Sequence, residues 1–199
     1  MKLPDEARER ALALAYEEFD KHRWEQAPPG ERGAVFEALT ADPAFSDLLR
    51  PYLSTAQMRV WIKDSAAKEY PRALEGVGRT AQFTKRRYPG PEAIARSALG
   101  DGWTVVGGSV KTKPMRCDLV GVDGERKLLL WGPVKGLRDL HWAASGVRAA
   151  GGGRVGIALT RPSMAPVPDD EWKRAQSLCD LIGADLYSVM YVPRTGADT

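Results

Sequence analysis

Two different spacings of apolar residues divide the chain near Tyr88. Up to that point apolar side chains recur at intervals of three and four, the repeat of a helix with one buried stripe. Leu12, Ala15, Tyr16 and Phe19 mark the first stripe, over residues 4 to about 24, and "APPGE" ends it. Val35, Phe36 and Leu39 mark a second over residues 31–39. Asp42-Pro43 then supplies an N-cap and a proline at the first helical position, opening a short helix through Phe45, Leu48 and Leu49. "STAQ", Ser54 to Gln57, is a capping box ahead of "MRVWIKDSAAKEY", in which Met58, Trp61 and Ile62 predict one more helix. The first part of the chain is therefore expected to be all-helical, with these aromatics in its core.

After Gly90 helical and strand patterns alternate. "PEAIARSAL" begins with proline and stops at Gly100, a helix of about nine residues. "WTVVGGSVK" and "MRCDLVGV" are rich in strand formers, and "DGER" predicts a hairpin between the second of them and "KLLLW". Gly107-Gly108-Ser109 lacks the strand, loop and helix order of a phosphate loop and predicts a tight bend in a strand. A helix over "LRDLHWAASGVRAA", a strand "RVGIALT", a helix "DDEWKRAQSLCDLIG" and a strand "ADLYSVMYV" follow. The order αβββαβαβ predicts an α/β fold: a mixed central sheet flanked by helices, in which the crossover from "KLLLW" to "VGIALT" makes that pair parallel. The expected domains are residues 1–88, helical, and residues 89–199, α/β.

Composition removes several classes of function. At 43% hydrophobic and 28% charged, the 199 residues suit an ordinary globular protein, and no internal repeat or low-complexity tract interrupts them. No run of apolar residues is long enough for a membrane span, and the N-terminus is too acidic for a signal peptide, so a cytoplasmic setting and no membrane partner are expected. Cys117 and Cys179 are too few for a disulfide framework or a zinc site and are expected to be buried. His22 and His141 provide no triad.

A net charge of +3 permits a polyanionic partner, and its distribution points to one. "RTAQFTKRRYPG" holds Arg79, Lys85, Arg86 and Arg87 with no acid, and "KTKPMR" adds Lys111, Lys113 and Arg116 beside Asp118. Together they predict a stripe that contacts nucleic-acid phosphates; the plain alternative is a solvated linker. No helix-turn-helix or zinc-finger spacing accompanies them, so no sequence preference is readable.

The element order, with Glu92 in the first helix, Asp118 in "RCDLVGVDG" and Lys135 in "PVKG", resembles the PD-(D/E)XK nuclease superfamily over residues 91–192. The resemblance implies a restriction endonuclease-like fold and a DNA substrate or partner. It also implies a Mg²⁺ site in which Asp118 is a metal ligand, Lys135 stabilises charge on the phosphate and Glu92 is an outer ligand held through water. Hard cations of that kind take oxygen ligands and activate a water for phosphodiester hydrolysis. A homodimer is the arrangement that cutting both strands would call for.

One position departs from the pattern. Where the superfamily carries Asp or Glu two residues before the lysine, this chain has Pro133, with neither a side-chain oxygen nor an N–H. The missing ligand is either lost or moved, and Asp139, one turn into the next helix, is the relocation candidate; Asp123 and Glu125 fall in the hairpin turn. Simpler roles stand beside these. Glu92 suits a helix N-terminus on dipole grounds alone, Lys135 can reach solvent from a strand end, and Asp118 can pair with Lys135 or Arg116. His141 or Trp142 can pack on the sheet. Three readings follow: a DNA-binding protein whose metal site is lost or altered, with a protein partner as its variant; an active Mg²⁺-dependent DNA endonuclease of restriction or repair type; and an α/β domain that only imitates the motif. Pro133 favours the first.

Overall fold

A computed structural model describes residues 3–110 and 113–195 of the chain. They fall into two compact units, one made of the segment up to Tyr88 with residues 193–195, the other of residues 89–192.

The first unit is helical. In α1 (Asp5–Lys21) the spacing of Ala7, Ala11, Leu12, Ala15, Tyr16 and Phe19 gathers all six on one buried face, and Asp5 and Glu6 sit in the first turn, where the helix dipole favours acids. α2 (Pro29–Ala41) and α3 (Pro43–Leu49) each begin on a proline, whose missing N–H is no loss at that position. Asp42 caps α3 by accepting from the Ala44 N–H at 2.9 Å. α4 (Thr55–Trp61) opens on the complete capping box of Ser54 and Gln57. Aromatic rings fill the centre: Phe19 stacks on Trp24 at 4.6 Å between centroids, and Tyr70 stands edge-on to Tyr16 and Phe19 at 5.1 and 5.3 Å.

The expected single helix after Ser54 differs in one respect. Between α4 and α5 (Ala67–Leu74) the chain widens into a π-helical stretch, Ile62–Ala66, where the Ala67 N–H reaches back to the Ile62 carbonyl. The buried residues explain it. Met58, Ile62, Ala66, Tyr70 and Leu74 recur every fourth residue, and on a straight α-helix that repeat drifts by about 40° per step. A wider turn takes up the drift and keeps the five on one side. Beyond α5, a 3₁₀ turn, Arg79–Phe83, leads to the two-residue strand β1 (Arg86–Arg87).

The second unit opens with α6 (Pro91–Leu99), followed by β2 (Trp103–Ser109), β3 (Met115–Gly121) and β4 (Arg126–Pro133). A 3₁₀ turn, Val134–Gly136, leads into α7 (Leu137–Ala149), and β5 (Arg154–Arg161), α8 (Asp169–Ile182) and β6 (Asp185–Met190) complete it. The strands lie in the order β2-β3-β4-β5-β6; the first three are antiparallel and the last three parallel. This is the mixed, helix-flanked α/β sheet that the alternating pattern predicts. Leu129 and Trp131 face the side covered by α6, against Ile94, Ala95 and Cys117, whereas Leu130 faces Leu137, Leu140 and Ala144 of α7 and Ala175 and Cys179 of α8. Burial on both faces is why "LLLW" runs apolar without alternation.

The bend at Gly107-Gly108 is a β-bulge: the register with β3 slips between Val105 and Gly107. A side chain at Gly108 would put its Cβ 2.7 Å from the Arg116 carbonyl oxygen. After β6 the described chain ends in β7 (Arg194–Thr195), which pairs antiparallel with β1. Residues 193–195 therefore belong to the helical unit and not, as expected, to the α/β one; a two-residue ladder draws them there.

Candidate nucleic-acid interface

β3 sorts its side chains by alternation. Met115, Cys117 and Leu119 are buried on the α6 side, and Arg116 and Asp118 between them are exposed on the other. That second face is covered by α7 over β4 and β5 and by α8 over β6, which leaves the β2–β3 end open to water. Asp118 stands opposite Gly107 on β2, where an added Cβ would lie 3.2 Å from its Oδ2, and opposite Leu128 on β4.

The register separates the residues that the nuclease resemblance brings together. Asp118 shares a face with Leu128 and Leu130 of β4, so Pro133, in step with Leu129 and Trp131, belongs to the opposite face. Pro133 is also five residues further along the strand than Leu128, about 16 Å at the usual rise. Lys135 is not on a strand at all; β4 stops at Pro133 and the lysine is exposed in the 3₁₀ turn Val134–Gly136. The expected convergence of Asp118 and Lys135 is thus corrected, because it assumed a strand that continued through the lysine. Glu92 is exposed in the first turn of α6, the helix on the other side of the sheet from Asp118. Asp139, the relocation candidate, points to solvent at 71% side-chain exposure and lies 3.5 Å from Arg138 Nε.

This geometry does not fit the implied Mg²⁺. A Mg²⁺ held by as few as two carboxylates would need two of the expected acids side by side, but Asp118 and Glu92 belong to opposite sides of the sheet and Asp139 points to solvent, and among the described residues no three His, Cys, Asp or Glu side chains group. The charges of Asp118 and Glu92 are felt instead by Cys117, whose thiol is pushed up to about 12, by burial first and by those two carboxylates after it. Burial likewise pushes the Cys179 thiol up to about 11. Both cysteines are buried and free, as expected.

The first basic segment is largely consumed by the fold. Arg86 is 5% exposed and forks onto Glu25, Nη1 to Oε2 at 2.9 Å and Nη2 to Oε1 at 2.7 Å, with a further bond to the Pro193 carbonyl at 3.0 Å. Burial works against its charge, but the Glu25 carboxylate outweighs burial and holds the guanidinium pKa above its ordinary value. Arg87 donates to the backbone carbonyls of Ala81, Thr84 and Arg86. Both guanidiniums are engaged within the helical unit, where the sequence reading expected them free for phosphate. Beside them the Asp20 carboxylate accepts from the Tyr70 hydroxyl at 2.6 Å, the Thr84 hydroxyl at 2.7 Å and the Lys85 N–H at 2.8 Å. Only Arg79 and the Lys85 side chain stay exposed.

The second basic segment stays open. Lys111 lies outside the described residues. Lys113 and Arg116 are exposed, and among the described residues neither has a carboxylate within ion-pair distance. They stand where β3 begins, the same end of the sheet at which β4 and β5 finish, since β3 runs antiparallel to β4. Lys135 follows β4 at that end, and Arg138, whose side chain is 95% exposed, follows in the first turn of α7. The carboxyl ends of parallel strands are the usual location for ligands in open α/β sheets.

Arg138 and Trp142 are additions that the sequence reading did not select. Trp142 does not pack on the sheet; it is 81% exposed. His141 is half-buried, and its Nε2 lies 3.1 Å from the Leu178 carbonyl oxygen of α8. The signal was present in "LRDLHWAASG": with Leu137, Leu140 and Ala144 facing inward, helical spacing turns Trp142 outward, one turn beyond Arg138.

No protein-family profile matches the chain, and no curated protein does. Among solved structures, that of EndoMS in apo form is similar at 16% identity and a TM-score of 0.31, over 48% of this chain. The chain spans 41% of the length of that structure. Among the described residues no helix is long and apolar enough to cross a membrane.

Proposed function

We propose that the chain binds nucleic acid through its phosphate backbone, at the rim formed by Lys113, Arg116, Lys135 and Arg138, and does not hydrolyse it at Asp118. The observation that carries this reading is the exposure of these four cations at one end of the sheet, with Asp139, beside Arg138, their one ion-pair partner among the described residues. Four lysines and arginines left in water suit a polyanion, because each phosphate they neutralise releases a counterion. Phosphate contacts carry no sequence information of their own, so such a rim reads backbone and not sequence. Non-hydrolysis is supported by the register, which sets Asp118 and Pro133 on opposite faces. A Mg²⁺-dependent endonuclease would need its ligands and lysine on one.

Fluorescence anisotropy with single-stranded and duplex oligonucleotides across a salt series tests binding, and plasmid nicking with Mg²⁺ or Mn²⁺ tests hydrolysis. Four phosphate contacts on duplex predict a slope of about −3 to −4 in log K against log salt. The expected plasmid result is intact DNA. Nicking that disappears in both Asp118→Ala and Lys135→Ala would overturn the non-hydrolytic reading, and the lack of salt-sensitive binding would overturn the nucleic-acid reading itself.

A further inference from the structure

We infer that Trp142 is a stacking platform for an unpaired base, which makes the partner at the rim a single-stranded nucleic acid; this rests on the nucleic-acid reading above. Two sides of α7 are accounted for by the fold. Leu137, Leu140 and Ala144 face the sheet, and His141 meets the Leu178 carbonyl oxygen at 3.1 Å on the side of α8. Trp142 occupies the outward side, 81% exposed, so the indole contributes almost none of its large apolar surface to the core. An indole left in water beside cations is better explained by a ligand than by folding.

Its neighbours leave the ring accessible. Gly146, one turn further, has no side chain, and a Cβ there would meet nothing within 4 Å. One turn earlier is Arg138, 95% exposed, and the exposed Lys135 lies before it in the 3₁₀ turn that leads into the helix. Arg138 to Trp142 covers about 6 Å of helix axis, the rise of roughly two stacked nucleotides. Two phosphates and one base of a short strand therefore match two cations and one ring. Asp139 lies beside Arg138 and offsets part of its charge, so stacking supplies attraction that charge alone lacks. In a duplex the faces of the bases are covered by adjacent pairs, and only an unpaired base can offer its π-face.

The test titrates the full chain, Trp142→Ala and Trp142→Phe into fluorescein-labelled single strands of roughly twenty mixed nucleotides, and into the matching duplex. Because the side chain is exposed, both variants are expected to keep the parent's circular dichroism and unfolding midpoint. Trp142→Ala should weaken single-strand binding about tenfold, equivalent to about 1.4 kcal/mol, with Trp142→Phe within about threefold of the parent and duplex affinity nearly unchanged. If Trp142→Ala binds single strands as the parent does while Lys135→Ala still weakens them, the stacking inference fails and the cationic rim stands. An equal loss on duplex also overturns it. If neither probe binds in a salt-sensitive way, the nucleic-acid reading fails and takes this inference with it.

Discussion

The two basic segments of the chain have similar composition and opposite fates. In the helical unit, Glu25 and Asp20 reach the segment around Arg86 from α1 and the turn after it, and the arginine becomes a buried strut between Glu25 and the Pro193 carbonyl. In the α/β unit, Lys113 and Arg116 have no such acid among the described residues and remain in water. The difference lies in what the fold brings to each segment and not in the segments. A run of lysines and arginines becomes a binding surface only where the protein does not neutralise it first.

Removing Glu25 should separate the two most sharply. The Arg86–Glu25 pair is nearly buried, at 6% and 11% side-chain exposure, and deleting one partner leaves a charge without compensation, a cost of about 3–5 kcal/mol. Glu25→Ala should lower the urea midpoint accordingly. Replacing both partners with apolar residues, Arg86→Met with Glu25→Leu, should recover most of the loss, since two desolvation penalties vanish with the pair. Equal stability of Glu25→Ala and the parent would mean that Arg86 is not a strut, and would return it to the set of phosphate contacts.

Asp20→Ala comes next. It strands the Tyr70 hydroxyl and the Lys85 N–H and leaves the Thr84 hydroxyl only its longer bond to the Arg86 carbonyl at 3.3 Å, and a buried donor left without a partner costs about 1–3 kcal/mol. A loss of about 2–3 kcal/mol in urea unfolding is expected, with some relief from water at the exposed Lys85 end. Tyr70→Phe, which removes one donor and leaves the acid its other partners, should cost less than half as much.

Alkali probes both units through groups that stay neutral when buried. Burial pushes the Tyr16 and Tyr88 hydroxyls up to about 12, as it does the Cys117 thiol, and moves Cys179 to about 11. Tyr70 rises further, by burial first and then by its bond to Asp20. Each group keeps its proton in the folded state at a pH where the unfolded chain loses it. Their contribution to stability is complete below the unfolded values and falls as pH climbs through the folded ones. From about pH 9 to 12 each should remove on the order of 1 kcal/mol per pH unit over its own window. Urea midpoints taken across that range check it; a flat profile would mean that these side chains ionise in the native state. Between about pH 5 and 7 none of the five titrates in either state, and they impose no slope there.

How much of this was legible follows from which distances a sequence encodes. The order of elements was readable because periods of 3.6 and 2 are local. Even the register of β3 against β4 had a signal: once Val120 is set opposite Arg126 across the "DGER" turn, each step back on one strand is a step forward on the other, and Asp118 falls opposite Leu128. Lys135 then has the wrong parity for Asp118's face. The expected meeting of Asp118 and Lys135 on one strand face is not found for that reason, since a motif states spacing within a strand and not the partner across from it. Arg86 carried no local signal, for Glu25 is 61 residues away along the chain. Trp142 is readable from the helical wheel of α7, which sets it opposite Leu137, Leu140 and Ala144.

The smallest effect on folding should come with a distinct effect on binding. Arg116 is exposed on β3 without an ion-pair partner among the described residues, so Arg116→Ala should leave stability within about 0.5 kcal/mol of the parent. On duplex it should remove one phosphate contact and reduce the magnitude of the salt slope by about 0.9. Lys85→Ala tests the other segment on the same scale. Its side chain is exposed while its N–H is held by Asp20, and alanine keeps that N–H, so stability should again hold within about 0.5 kcal/mol. If the open segment alone forms the binding rim, Lys85→Ala leaves the salt slope unchanged where Arg116→Ala reduces it. A slope that falls equally in both variants would extend the phosphate contacts to the helical unit and remove the contrast between the two segments, with Arg86 still buried.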